Sequence, residues 1–429
     1  MTYQEARTFI EQTKQYGSIL GLTSIRNLMH ELEDVQEQIP IIHIAGTNGK
    51  GSTGAMVERI LRENGYRVGR YSSPAVFSYR ESYQLNGAPI AKEAFAECTS
   101  QVKLACDRLV LEGKPHPTVF EAETAIAFLF FYKSQCDFLL LETGMGGSTD
   151  ATNLITHPVC SVITTISMDH MAFLGESLTQ IAGAKAGIIK QRCPVVSAVQ
   201  QPEALAVLER QAEELYAPFC LTRMDSIKDV RYDVGGMTFS HQIYGTIRTQ
   251  LSGAYQVRNA ACALAVIEVL TKQGYAISQQ AVTEGMQKAY WPGRFERILK
   301  SPELLIDGAH NEDAALQLRE TMENCFTNRP ITFIIGVLAD KEHEKMLRIM
   351  LPLAHKVYTI TPDNPRAMSA EALGEEAAKY HPDVEAVVDV KRAVTLAIGQ
   401  ASQDEVILAF GSLSYLGAVK DAVETYNRQ

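Results

Sequence analysis

No apolar run in this 429-residue chain approaches the ~18 residues that a helix needs to cross a bilayer, so a helical membrane span is not expected. The N-terminal stretch MTYQEARTFIEQ carries acidic residues and alternates polar with apolar positions, so it has no signal-peptide core and the chain reads as cytoplasmic. Positive charge is also short: 40 Lys and Arg stand against 50 Asp and Glu, a formal net charge of -10. Nucleic-acid binders need a basic surface to displace counterions, so that class is set aside. The eight cysteines are scattered singly with no CxxC pair, which excludes the usual zinc and dithiol patterns and predicts reduced, mostly buried thiols. Nothing is low-complexity.

What remains is a globular composition, 46% hydrophobic and 21% charged, in a chain too long for one ordinary domain. Its first half alternates short apolar runs with helical patterns, the mark of a parallel sheet with crossover helices. Strands are predicted for IIHIA ending at Ala45, DFLLLE ending at Glu142 and VCSVITTI ending at Ile166. Between residues 231 and 251 alternation and glycines predict a small antiparallel ribbon attached to the first domain. Pro292, Gly293 and Pro302 bracket a segment with few apolar positions, which places a boundary there: domains 1–296 and 297–429. The runs ELLIDGAH, ITFIIGV, KVYTIT, VEAVVDV and EVILAFGS then predict a second, smaller, Rossmann-like α/β domain.

The strongest local signal is IIHIAGTNGKGST, an apolar strand running into Gly46, Thr47, Asn48, Gly49, Lys50, Gly51 and Ser52, followed by a helical pattern to Asn64. Glycines let backbone N–H groups approach phosphate oxygens, the helix N-terminus adds its dipole, and Lys50 supplies a point charge. Ser52 is placed to reach Mg²⁺. The pattern departs from the common P-loop, with Ile44 at the first glycine position and Gly51 between the lysine and the hydroxyl. Glu142 ends a buried strand at the carboxyl edge of the sheet and is the natural Mg²⁺ carboxylate.

Ten collinear segments carry a family resemblance: GTNGKGS, SSP from Ser72, FEAETAIAF from Phe120, ETGMGGSTDATN from Glu142, SMDHMAFLG from Ser167, KAGIIK from Lys185, WPGRFE from Trp291, IDGAHN from Ile306, GVLADK from Gly336 and FGSLSYLG from Phe410. The chain resembles the folylpolyglutamate synthase and dihydrofolate synthase family of the Mur ligase superfamily. The resemblance implies an N-terminal P-loop ATP-binding domain, a C-terminal ligase domain, and ATP-dependent addition of L-glutamate to a folate or dihydropteroate carboxylate; a monomer is expected. It places Ser73 and Glu142 around magnesium, His170 and a carbamylated Lys185 at a second metal position, and Lys50, His170, Lys185 and His310 in catalysis. Asn259 resembles an adenine contact, Arg294 an arginine that acts with ATP, and Asp307 with His310 a nucleotide-contacting pair. Leu20, Gly21, Leu22, Phe120 and Asp150 match the pteroate pocket.

Several positions depart from the family pattern: Ala75, Ser82, Ser148 and Ala184 replace a usual histidine, two arginines and a glutamate. Two lost arginines are two lost bidentate partners for a carboxylate tail. The alternatives are another Mur-type amide ligase with a different acyl substrate, and a P-loop nucleotide-binding protein that ligates nothing.

Overall fold

The structure, a computed structural model, describes residues 1–17, 21–340 and 342–427. The chain divides into two compact units: Met1–Asp225 with Asn259–Met286, and Ser226–Arg258 with Gln287–Gln429.

The first unit is built on β1 (Ile41–Ala45), β2 (Val68–Tyr71), β3 (Tyr83–Leu85), β4 (Ala88–Pro89), β5 (Phe138–Glu142), β6 (Cys160–Ile163), β7 (Val195–Ser197) and β8 (Phe219–Leu221). They form one sheet in the order β4-β3-β2-β5-β1-β6-β7-β8, parallel from β2 to β8 with an antiparallel margin at β3 and β4. Every residue of β1 is buried, His43 included, as its near-continuous apolar run requires of a strand covered on both faces. From β1 the chain crosses towards β2, and from β6 it crosses the other way to β7. Strand order therefore reverses between β1 and β6, where such sheets open a crevice at their carboxyl ends. The helix Val119–Lys133 starts at a Thr118–Glu121 capping box and buries most of its length, which fixes Phe120 in its first turn.

The predicted strand VCSVITTI stops at Ile163 rather than Ile166. Thr165 leaves the ladder because its carbonyl accepts the Thr47 and Asn48 amides, at 2.8 and 3.2 Å, and so braces the glycine loop.

The ribbon, expected on the first domain, belongs instead to the second unit, as three antiparallel strands, β9 (Ile227–Asp233), β10 (Gly236–His241) and β11 (Gly245–Thr249), beginning four residues before the predicted start. Val234 of this ribbon packs on the core of the second unit, and Ser252 Oγ donates to the Asp233 carbonyl. The larger sheet comprises β12 (Glu296–Lys300), β13 (Glu303–Ile306), β14 (Ile331–Ile335), β15 (Lys356–Thr359), β16 (Val384–Ala386) and β17 (Val406–Phe410), in the order β12-β13-β17-β14-β15-β16. Only the edge strand β12 runs antiparallel. VEAVVDV yields just Val384–Ala386, because Asp389 caps the helix Val390–Gln400 by accepting from the Arg392 amide. Among the described residues no helix is long and apolar enough to cross a membrane, and all eight cysteines are free thiols.

Candidate active site

The glycine loop leaves β1 through Gly46 (φ 151°) and enters the helix Lys50–Glu63 through Gly49 (φ 91°). A Cβ at Gly46 would stand 1.8 Å from Thr164 Oγ1, and one at Gly49 would stand 2.2 Å from Asn259 Oδ1. Both positions need glycine for conformation and for space. Asn259, predicted to contact the nucleotide, thus lies against the loop, and it is buried. Thr47 Oγ1 donates to the Ser167 carbonyl at 3.0 Å and accepts from the Ser167 amide at 3.1 Å, which ties the loop to the SMDH segment.

Lys50 Nζ donates to the carbonyls of Gly46 (3.1 Å) and Thr47 (3.3 Å) and lies 3.9 Å from Glu142 Oε1. Lys185 Nζ, from the helix Leu178–Ala186, reaches the same Gly46 carbonyl at 2.8 Å. Two amines therefore converge on one oxygen. Lys185 is only 3% exposed. Burial first, and repulsion from Lys50 second, push its amine down to about 7, while Asp169 and Asp150 pull the other way. A solvated surface lysine would show none of this.

Ser52 is buried in the first turn of the loop helix and Ser73 is half-buried beside Pro74. His170 is held in the left-handed region (φ 53°), its amide donating to Asp169 Oδ1 at 2.8 Å and its Nε2 lying 3.9 Å from Asp169 Oδ2. Among the described residues no three His, Cys, Asp or Glu groups form a metal-holding cluster. A magnesium bound chiefly by phosphate oxygens, water and one carboxylate does not need such a cluster, and Glu142 with Ser52 is a hard oxygen set of that kind. Lys185 fits a second cation only as an anion, since its ammonium would repel one.

Of the residues matched to a pteroate pocket, Asp150 is buried and Phe120 packs its ring over Gly144, where a Cβ would meet it at 2.6 Å. Asp150 Oδ2 accepts from the Met145 amide at 2.8 Å, so Phe120 and Asp150 both meet the segment 144–145. Gly21 (φ 127°) and Leu22 precede the helix Thr23–Glu31, and Leu22 packs on the N-terminal core. Leu20 lies outside the described residues. Of the family departures, Ser148 is exposed and Ser82 buried.

In the second unit, Asp307 is buried at the carboxyl end of β13 and accepts three hydrogen bonds: from Phe295 N and Tyr255 Oη on Oδ2, and from Ala309 N on Oδ1, each at 2.8 Å. Burial pushes its carboxyl up, opposed chiefly by Arg294 and then by these donors. Asp307 thus builds the turn that carries His310, whose Nδ1 donates to the Gly308 carbonyl at 2.8 Å. Arg294 Nη1 donates to the Gly293 carbonyl at 2.9 Å and lies where a Cβ at Gly308 would meet it at 2.2 Å. Sequence reasoning did not single out Tyr255, His43 or Thr152. The last two stood inside the quoted motifs, but only the fold shows what they touch.

The Mur ligase middle domain family matches residues 44–267, and the Mur ligase glutamate ligase domain family matches residues 293–413. A dihydrofolate synthase/folylpolyglutamate synthase of Bacillus subtilis is 37% identical over 425 residues, covering 97% of this chain and 98% of that protein. The folylpolyglutamate synthase of Lacticaseibacillus casei is 33% identical over 86% of this chain and 87% of its own length. Among solved structures, Mycobacterium tuberculosis folylpolyglutamate synthase complexed with ADP and AMPPCP superposes with a TM-score of 0.88 at 29% identity, over 99% of this chain and 98% of that one. Escherichia coli FolC in complex with DHPP and ADP gives 0.87 at 28% identity, over 98% of each chain. With its glycine loop, its paired lysines and this end-to-end likeness, the chain belongs to the dihydrofolate synthase/folylpolyglutamate synthase family of Mur ligases, ATP-dependent enzymes that join glutamate to a folate carboxylate.

Proposed function

We propose that residues 1–296 act as the ATP-binding domain and 297–429 as the ligase domain of a cytoplasmic monomer whose acyl substrate is dihydropteroate, a reduced folate, or both. The family matches at 44–267 and 293–413 support that division. The observation that carries the catalytic reading is the convergence of Lys50 and Lys185 on the Gly46 carbonyl beside Glu142.

The loop amides of residues 46–52 bind the ATP phosphates and Lys50 neutralises the terminal one. Asn259 meets the adenine, and Arg294 and His310, the latter on the turn that Asp307 holds, contact the nucleotide. The folate carboxylate oxygen attacks the γ-phosphorus, the bond to ADP breaks, and an acyl phosphate forms. The glutamate amine adds to the acyl carbon, loses a proton, and phosphate departs. Leu20, Gly21, Leu22, Phe120 and Asp150 orient the acyl group. Ser52, Ser73 and Glu142 would hold magnesium, which when bound supplies charge neutralisation on the phosphates; His170 and a carbamylated Lys185 would hold a second ion.

The test is purified protein with ATP, glutamate and either dihydropteroate or tetrahydrofolate, with mass analysis of the products. A glutamyl amide, formed with ADP in equal amount, is expected. ADP formation that needs neither the pteroate compound nor glutamate would overturn the reading.

A further inference from the structure

His43 is a polar residue in the middle of an otherwise apolar strand. It is fully buried, in register with Leu141 on one side and Ser161 on the other. Its Nε2 lies 2.9 Å from Thr152 Oγ1, and Thr152 Oγ1 lies 2.6 Å from Asp150 Oδ1. The Thr152 amide donates to the same carboxylate oxygen at 3.0 Å. We infer that His43 and Thr152 form a positioning relay that holds the Asp150 carboxylate ionised and oriented as a hydrogen-bond acceptor for the acyl substrate. The inference rests on the placement of Asp150 in the acyl pocket.

The direction of the chain follows from counting protons. Thr152 has one hydroxyl hydrogen and can donate it only one way. If it donates to Asp150, Oδ1 carries no proton, Oδ2 already accepts from the Met145 amide, and His43 must supply Nε2–H. Its Nδ1, buried and without a hydrogen-bond partner, then carries only a lone pair. In the reversed chain Asp150 would be protonated and Nδ1 would bear an orphaned N–H, the costlier of the two faults in a dry interior. Burial acts on both ends: it pushes His43 down to about 3, keeping the ring neutral, and pushes Asp150 up. The hydroxyl of Thr152 and the amides of Met145, Thr152 and Gly144 oppose that rise. The other ionisable groups facing the relay are Lys185 and Tyr71 at Asp150, and Lys190 at His43.

Thr152→Val keeps the shape and removes the link. Losing a hydrogen bond to a charged group should raise KM for the pteroate substrate about ten- to a hundred-fold, with KM for ATP changed less than about two-fold. The acid limb of the pH profile with the acyl substrate should move to higher pH, and Thr152→Ser should restore both readouts. Nitrogen NMR of the unmodified protein, labelled in its imidazoles, should show His43 protonated at Nε2 and bare at Nδ1. A protonated Nδ1 overturns the relay whether or not any variant folds. If Asp150→Asn raises KM for the pteroate substrate while Thr152→Val changes neither KM nor the acid limb, the relay alone fails. If both variants leave that KM unchanged, the assignment of Asp150 to the substrate fails and the relay falls with it.

Discussion

Replacing Lys185 with methionine keeps most of its bulk and removes the amine whose unusual setting underlies the proposed carbamate. That amine is 3% exposed, donates to the Gly46 carbonyl at 2.8 Å and is pushed down to about 7 by burial and then by Lys50. At about pH 8 roughly 90% of such amines are neutral, against about 0.4% for an unperturbed lysine, so roughly 200 times more nucleophile is available to CO₂. Attack forms an N–C bond, the nitrogen gives up a proton, and a neutral group becomes an anion. The same shift fixes the sign of a stability effect. Without CO₂ the folded pKa lies below the unfolded one, so the unfolded chain binds more protons between about pH 7 and pH 10.4. The burial penalty is fully present below that window and is relieved as pH rises through it, by an amount on the order of 4–5 kcal/mol at most. Denaturant unfolding of the unmodified protein and Lys185→Met, in CO₂-free buffer across that window, should show the unmodified protein gaining on the variant as pH rises. Isotopically labelled bicarbonate should give a carbamate NMR signal that Lys185→Met lacks. Parallel stability profiles together with an unchanged signal would refute the reasoning.

Three further outcomes concern the glycine loop and Glu142 beside it. Lys50→Ala should abolish amide formation while circular dichroism and melting stay close to those of the parent, because Thr165 and Ser167 still hold the loop backbone when the amine's bonds to the Gly46 and Thr47 carbonyls are lost; near-normal turnover would sink the P-loop assignment. Glu142→Gln should cut turnover by orders of magnitude and move the magnesium titration to higher concentration, since an amide is a poorer ligand for a hard cation; an unchanged titration excludes Glu142 as a ligand. Gly49→Ala, at φ 91° and with its Cβ 2.2 Å from Asn259 Oδ1, should weaken ATP binding at least about ten-fold and destabilise the first unit by about 1–3 kcal/mol; equilibrium binding and thermal unfolding check the two parts.

The sequence by itself determined the α/β class, the central strands and the glycine loop, because near-continuous apolar runs and glycines at positive φ are local demands that the chain states directly. β1 and β5 end at Ala45 and Glu142, where the runs end. It also placed Glu142 at the sheet's carboxyl edge, since a charge cannot continue a buried run. The tertiary structure alone decided what each polar residue faces. Thr165 leaves its predicted strand because its carbonyl is needed by the Thr47 and Asn48 amides, far earlier in the chain, which no window of residues 159–166 records. Lys185 reads as an ordinary helical lysine until the fold places it on Gly46, 139 residues earlier. His43 could equally have been a satisfied core histidine, and only the return of residues 150–152 beneath β1 joins it to Asp150. Periodicity reports burial, whereas partnership depends on contacts between distant segments, and those exist only once the sheet has been assembled.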